Sequence, residues 1–87
     1  MKLQEIKIID VRTPGEYSGG NVSGSINIPL NEIPDRLGEF NHGSGPIFVC
    51  CASGKRSSQA EHYLRKAGIN EVYDGGAWSD LNVLLNN

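Results

Sequence analysis

The sequence predicts an α/β fold: a small, open, mostly parallel sheet of about four core strands, flanked by helices. Three observations predict it. Short apolar runs alternate with segments of helical spacing, the order expected of βαβ units. The helical segments carry their own start and stop residues. Ile47-Phe48-Val49-Cys50 is apolar without alternation, as in a central strand covered on both faces. At 87 residues the chain is read as a single domain over 1–87.

Taken in order, Ile6-Lys7-Ile8-Ile9 is a short apolar run ending in Asp10-Val11-Arg12, and predicts a buried strand. Thr13-Pro14-Gly15-Glu16 has the form of a capping box, with Thr13 at the N-cap, Pro14 opening the helix and Glu16 reaching back. Gly19-Gly20 stops that helix early. Gly24 to Pro29 reads as a brief strand closed by proline. Asn31 opens a helix through Phe40, with Ile33, Leu37 and Phe40 on one face. Asn41 to Pro46 is a loop. After the Ile47 strand and a small polar loop, a helix is expected from about Ser57 to Ala67, with Ala60, Leu64 and Ala67 inward and Gly68 as its stop. Glu71-Val72-Tyr73 predicts a last strand, Gly75-Gly76 a turn, and Ala77 to Leu85 a final helix.

Composition narrows the function classes. Hydrophobic residues make up 38% and charged residues 21%, a globular balance. A net charge of −2 and a pI near 5.5 argue against a nucleic-acid partner. The two cysteines, Cys50 and Cys51, are adjacent, and a bridge between neighbours is strained. With His42 and His62 they match no zinc-finger spacing, so no metal is expected. No apolar run reaches signal-peptide or membrane-span length. The expectation is a cytoplasmic protein with free thiols, no membrane contact and no obligate interface, hence a monomer.

The chemistry concentrates in Cys51-Ala52-Ser53-Gly54-Lys55-Arg56-Ser57, between a strand and a helix. A short loop entering a helix points several N–H groups into one concavity and adds the positive helix end, which suits an anion. A cysteine at its base, beside Lys55 and Arg56, should have a lowered pKa, and the thiolate is the nucleophile. Counted from Cys50 the text is Cys-x5-Arg-Ser, the pattern of cysteine-dependent phosphatases; counted from Cys51 it is Cys-x4-Arg-Ser. Two features favour Cys51: glycine falls three places after it, at Gly54, and Val49 stands where the phosphatase signature has histidine. Cys50, ending an apolar run, reads as a packing residue.

Four segments in order resemble the single-domain rhodaneses. Asp10-Val11-Arg12-Thr13-Pro14-Gly15-Glu16-Tyr17 is similar to the family's Asp-Val-Arg-x-x-x-Glu-Tyr, and Gly20 to Pro29 to its Gly-His-Ile-x-Gly-Ala-x-Asn-Ile-Pro. Cys51 to Ser57 resembles the Cys-x-x-Gly-x-Arg-Ser active loop, and Gly75-Gly76-Ala77-Trp78 a shortened Gly-Gly-x-x-x-Trp. Asn21 and Ser25 depart from the family's histidine and alanine, with an effect expected on packing. Only Met1 to Glu5 precede the first strand, so the resemblance implies four core strands rather than five. It also implies a sulfurtransferase without a cofactor. Cys51 would take sulfur from a small anionic donor such as thiosulfate and hold it as a persulfide. Amides from Ala52 through Ser53, Gly54, Lys55 and Arg56 to Ser57 would cradle it. A thiol or protein acceptor, or cyanide in an assay, would then receive it. The same fold leaves open a phosphatase or arsenate reductase and a non-catalytic docking module.

Three further residues are candidates for supporting the site. Asp10 and Arg12 end the strand beside the loop. The favoured reading makes them structural, with Asp10 bonding loop amides and Arg12 pairing with Glu16. Trp78 either roofs the pocket or fills the thin core.

Overall fold

The computed structural model describes residues 6–40 and 45–86. Four strands form one all-parallel sheet in the order β2-β1-β3-β4: β1 Lys7–Asp10, β2 Ile26–Asn27, β3 Ile47–Cys51 and β4 Val72–Ala77. The helices are α1 Pro14–Ser18, α2 Lys55–Lys66 and α3 Trp78–Leu85, and a 3₁₀ segment spans Leu30–Phe40. The chain starts in the middle of the sheet, steps to one edge, then returns across β1 to build the other side. In such sheets the ligand crevice lies beyond the carboxyl ends of the two strands where the winding reverses, here β1 and β3. No helix among the described residues is long and apolar enough to cross a membrane.

Local chemistry accounts for most of the elements. The capping box forms as its residues require: Glu16 N–H donates to the Thr13 hydroxyl at 3.3 Å, and Thr13 N–H donates to the Glu16 carboxylate at 3.0 Å. Asn21 closes the far end of α1 by donating to the Tyr17 carbonyl at 2.9 Å. The segment expected as a helix from Asn31 winds as 3₁₀ instead and is broken at Arg36 (φ −127°). Pro34 inside it supplies no N–H, which removes a rung that a continuous α-helix needs. Ile33 and Phe40 are still buried as the spacing predicts. The α2 helix starts at Lys55, two residues before the expected Ser57, and buries Ala60 and Leu64, while Ala67 is exposed. Residues 41–44 of the expected loop, His42 among them, lie outside the described residues.

The sheet is packed on both faces, unequally. One face carries Ile9, Val49, Cys51 and Val72 under α2 and the 3₁₀ segment. The other carries Ile8 and Cys50, with Phe48 against them, under the eight-residue α3 through Leu81. This second layer is thin: an open groove of about 370 Å³ runs along it past Ile6, Ile8, Val22 and Leu85, and Leu84 is 72% exposed.

Gly75 and Gly76 do not form the expected turn. They continue β4 as a bulge: Val49 pairs with Asp74 and Cys50 with Gly76, which leaves Gly75 unpaired. A β-carbon on Gly75 would sit 3.1 Å from the Val49 carbonyl oxygen and 3.2 Å from Leu81, so a side chain there would force its neighbours to shift by a few tenths of an ångström. Gly75→Ala is accordingly expected to cost about 1–3 kcal/mol, because backbone on one side cannot yield. Urea unfolding measures it; an unchanged midpoint would mean that the bulge relaxes freely.

Candidate active site

Period-two alternation along β3 separates the adjacent cysteines. Ile47, Val49 and Cys51 project to the α2 face, and Phe48 and Cys50 to the α3 face. Both thiols are free and fully buried. Only Cys51 lies on the face from which the loop enters α2.

That helix lacks an ordinary cap. Gly54 occupies the N-cap position at φ +101°, a left-handed conformation that favours glycine, and has no side chain to offer the first turn. The Cys51 sulfur takes that role. It accepts the N–H of Gly54 at 3.0 Å and that of Ser57, the third helical residue, at 3.3 Å. The Ser57 hydroxyl oxygen lies 3.6 Å away. Burial alone would push the Cys51 pKa up. The hydroxyl and N–H of Ser57, with the N–H groups of Gly54 and Ser53, outweigh it, and the thiol falls below its ordinary value. Cys50 has no such donors: burial, then the negative Asp10, push it up to about 12.

The remaining candidates divide. Ala52 and Ser53 are exposed at the loop tip. Lys55 is exposed and has no ion-pair partner among the described residues. Arg56 is already paired with an acid. Its guanidinium grips the Glu16 carboxylate through two bonds, of 2.7 and 2.9 Å, and ties the loop to α1. That contact, and then the Thr13 N–H, hold Glu16 at a pKa of about 2.

Arg12 also differs from expectation. It pairs with Asp10 rather than with the Glu16 carboxylate, by contacts of 2.7 to 3.0 Å. Asp10 receives Arg12's own N–H at 3.0 Å instead of bonding loop amides. The guanidinium then donates to the Gly20 carbonyl at 2.6 Å and stacks on Trp78 with its carbon 4.8 Å from the ring centre. Trp78 thus packs on Arg12 and the α3-side core and lies against Gly20. Asp10 and Arg12, both buried, and the half-buried Trp78 form a brace joining the end of β1 to the start of α3.

The model of the rhodanese-like domain matches residues 1–79, nearly the whole of this architecture. The chain belongs to the rhodanese-like family. It is 37% identical over 71 residues to the protein YqhL of Bacillus subtilis, covering 82% of this chain and 56% of that protein, so it spans about half the length of that relative. It is 35% identical over 74 residues to thiosulfate sulfurtransferase PspE of Escherichia coli, covering 84% of this chain and 71% of the relative. A structure described as rhodanese with anions from E. coli superposes with a TM-score of 0.79 at 34% identity, covering 86% of this chain and 89% of that one.

Two residues of this rhodanese-like domain that bear on the loop escape a reading of the sequence as a line. Glu16 belongs to a capping box 40 positions from Arg56. Asp74, the last residue before the bulge, accepts from the Ser57 hydroxyl at 2.6 Å. A carboxylate directly before the Gly-Gly pair was the available signal. The two thiols of the domain should behave oppositely toward an alkylating reagent. Cys51 is expected to react with a pH midpoint below the ~8.5 of an unperturbed cysteine, because its thiolate is the hydrogen-bonded form. Cys50 should stay silent below about pH 10, since its thiol is held neutral. Reaction rate against pH, with fragment mass spectra to separate the neighbours, checks both.

Proposed function

We propose that this domain is a thiosulfate:cyanide-type sulfurtransferase with Cys51 as its sulfur carrier. The observation that carries the reading is the Cys51 sulfur itself, standing as the cap of α2 with two N–H donors aimed at it. The relative named thiosulfate sulfurtransferase supports the substrate class, and the E. coli rhodanese described with anions supports an anionic donor.

The Cys51 thiolate attacks the outer sulfur of thiosulfate. An S–S bond forms to Sγ, the donor's S–S bond breaks, and its electron pair leaves with sulfite. The Cys51 persulfide anion remains, its outer sulfur beside the helix N-terminus, where negative charge is stabilised. A thiophilic acceptor (a small thiol, a protein thiol, or cyanide in the assay) then attacks the outer sulfur, and the bonding pair returns to Sγ. Each half-reaction needs only one substrate, so ping-pong kinetics follow. Exposed Lys55, close to the loop, supplies attraction for the donor, while Arg56 acts through Glu16 by holding the loop shape. The cycle requires a reduced thiol, which fits a cytoplasmic setting.

A phosphatase using Cys50 is disfavoured, because that thiol faces away from the loop and is held neutral. Incubation with thiosulfate and intact mass measurement tests the proposal. A gain of about 32 Da, one sulfur, is expected. No gain on the wild type, or a Cys51 midpoint at the ordinary thiol value, would favour a docking role instead.

A further inference from the structure

Cys51 Sγ and Ser57 Oγ, both buried, lie 3.6 Å apart, and Ser57 Oγ lies 2.6 Å from the Asp74 carboxylate on β4. A serine hydroxyl has one proton. Three acceptors compete for it: the Asp74 carboxylate, the Gly54 carbonyl at 3.1 Å and, once ionised, the Cys51 sulfur. The carboxylate is both nearest and charged, so it takes the proton. Ser57 then turns lone pairs toward Cys51, which suits an S–H donor, and the thiolate gains the hydroxyl's stabilising help only by drawing that proton away from Asp74. The β4 bulge aims Asp74 at this hydroxyl, and Gly76 N–H fixes the same carboxylate oxygen at 2.9 Å. The other charged groups around the sulfur are spoken for or outward. Asp10 and Arg12 of the β1 end pair together, Glu16 of α1 pairs with Arg56 of α2, and Lys55 of α2 and Asp80 of α3 are exposed.

We propose that Asp74 is a positioning residue for Cys51: by holding the Ser57 hydroxyl proton, it withholds that donor from the sulfur and so disfavours each step in which negative charge develops on Sγ. The inference deepens the sulfurtransferase reading and rests on it. Two steps put charge on Sγ. One is ionisation of the resting thiol. The other is discharge, in which the acceptor bonds the outer sulfur, the S–S bond breaks and the pair returns to Sγ. Slowing discharge makes the loaded form long-lived, so the domain keeps its sulfur until a good acceptor arrives.

Asp74→Asn tests this, because it keeps an oxygen for Ser57 and Gly76 while removing the charge. The Cys51 alkylation midpoint is expected to fall by about half a unit to one unit, and persulfide discharge to a small thiol to quicken ~3- to 10-fold. Asp74→Ala, which drops the acceptor as well, should shift the midpoint in the same direction. Both effects should vanish when Ser57→Ala is present, since the coupling runs through that hydroxyl. An unmoved midpoint, or an equal shift with and without the Ser57 hydroxyl, overturns the proposal. Failure of the wild type to take up sulfur would instead end the sulfurtransferase reading, and the alkylation cycle would still decide whether Asp74 acts on Cys51.

Discussion

Cys51→Ser is expected to bring thiosulfate-dependent sulfur transfer to the uncatalysed baseline while leaving the fold in place. The two consequences separate cleanly because the residue has two jobs. As a structural element it caps α2 by accepting the Gly54 and Ser57 N–H groups. A serine oxygen accepts such bonds as an ordinary N-cap does, so the stability change should stay within about 1 kcal/mol. As a nucleophile it has no substitute. A serine hydroxyl is far less acidic than the thiol, and its oxygen cannot carry a sulfur through a thiophilic exchange. Turnover with cyanide and the mass gain after thiosulfate should therefore vanish together, while the unfolding midpoint moves little. Cys50→Ser should show the reverse: sulfur uptake retained, and stability reduced by placing a hydroxyl in the α3-side core. Retained uptake in Cys51→Ser would sink the assignment.

Asp10→Ala is expected to be the most destabilising single change, about 3–5 kcal/mol. Asp10 is fully buried and Arg12 is 4% exposed, so removing the carboxylate strands a cation in the interior with two carbonyls and an indole face for company. Small domains have only about 5–15 kcal/mol in total, so a substantial unfolded fraction should follow at room temperature. Asp10→Asn, which keeps an acceptor but not the charge, should fall between. Urea unfolding of the three proteins gives the order directly. A loss below about 1 kcal/mol for Asp10→Ala would mean that Arg12 swings out to water and that the brace is not needed to hold β1 to α3.

How far the sequence carries can be judged from these same residues. The Thr13 capping box is local in cause, with partners three positions apart, and the strands show as short apolar runs, so both are legible. The choice of Cys51 over Cys50 as candidate nucleophile is legible in the spacing to Gly54 and in Val49 standing before Cys50, and the structure adds that the two side chains project to opposite faces of β3. The Gly75-Gly76 bulge is not, because two glycines in a row carry turn chemistry, and only the close approach of the Val49 carbonyl and Leu81 turns them into strand. The role of Arg56 is hidden for a related reason. Its charge is visible, but the partner that absorbs it lies on α1. Long-range contact decides both. Arg12 is a different case: Asp10 and Glu16 are both near it in sequence, and the end of β1 presents Asp10, two positions back, at bidentate range.

The separation of Cys50 and Cys51 onto opposite faces of β3 would set the fate of any sulfur loaded on Cys51. Many carriers of labile sulfur or oxidised thiols keep a resolving cysteine in reach, so that the group is expelled by an internal disulfide. Neighbours on an extended strand point apart and cannot close such a bond without rebuilding the sheet. Cys50, although adjacent in the chain, is held neutral on the far side. Within this domain, then, a persulfide formed on Cys51 would have no internal exit: its sulfur would leave only when an outside nucleophile collects it.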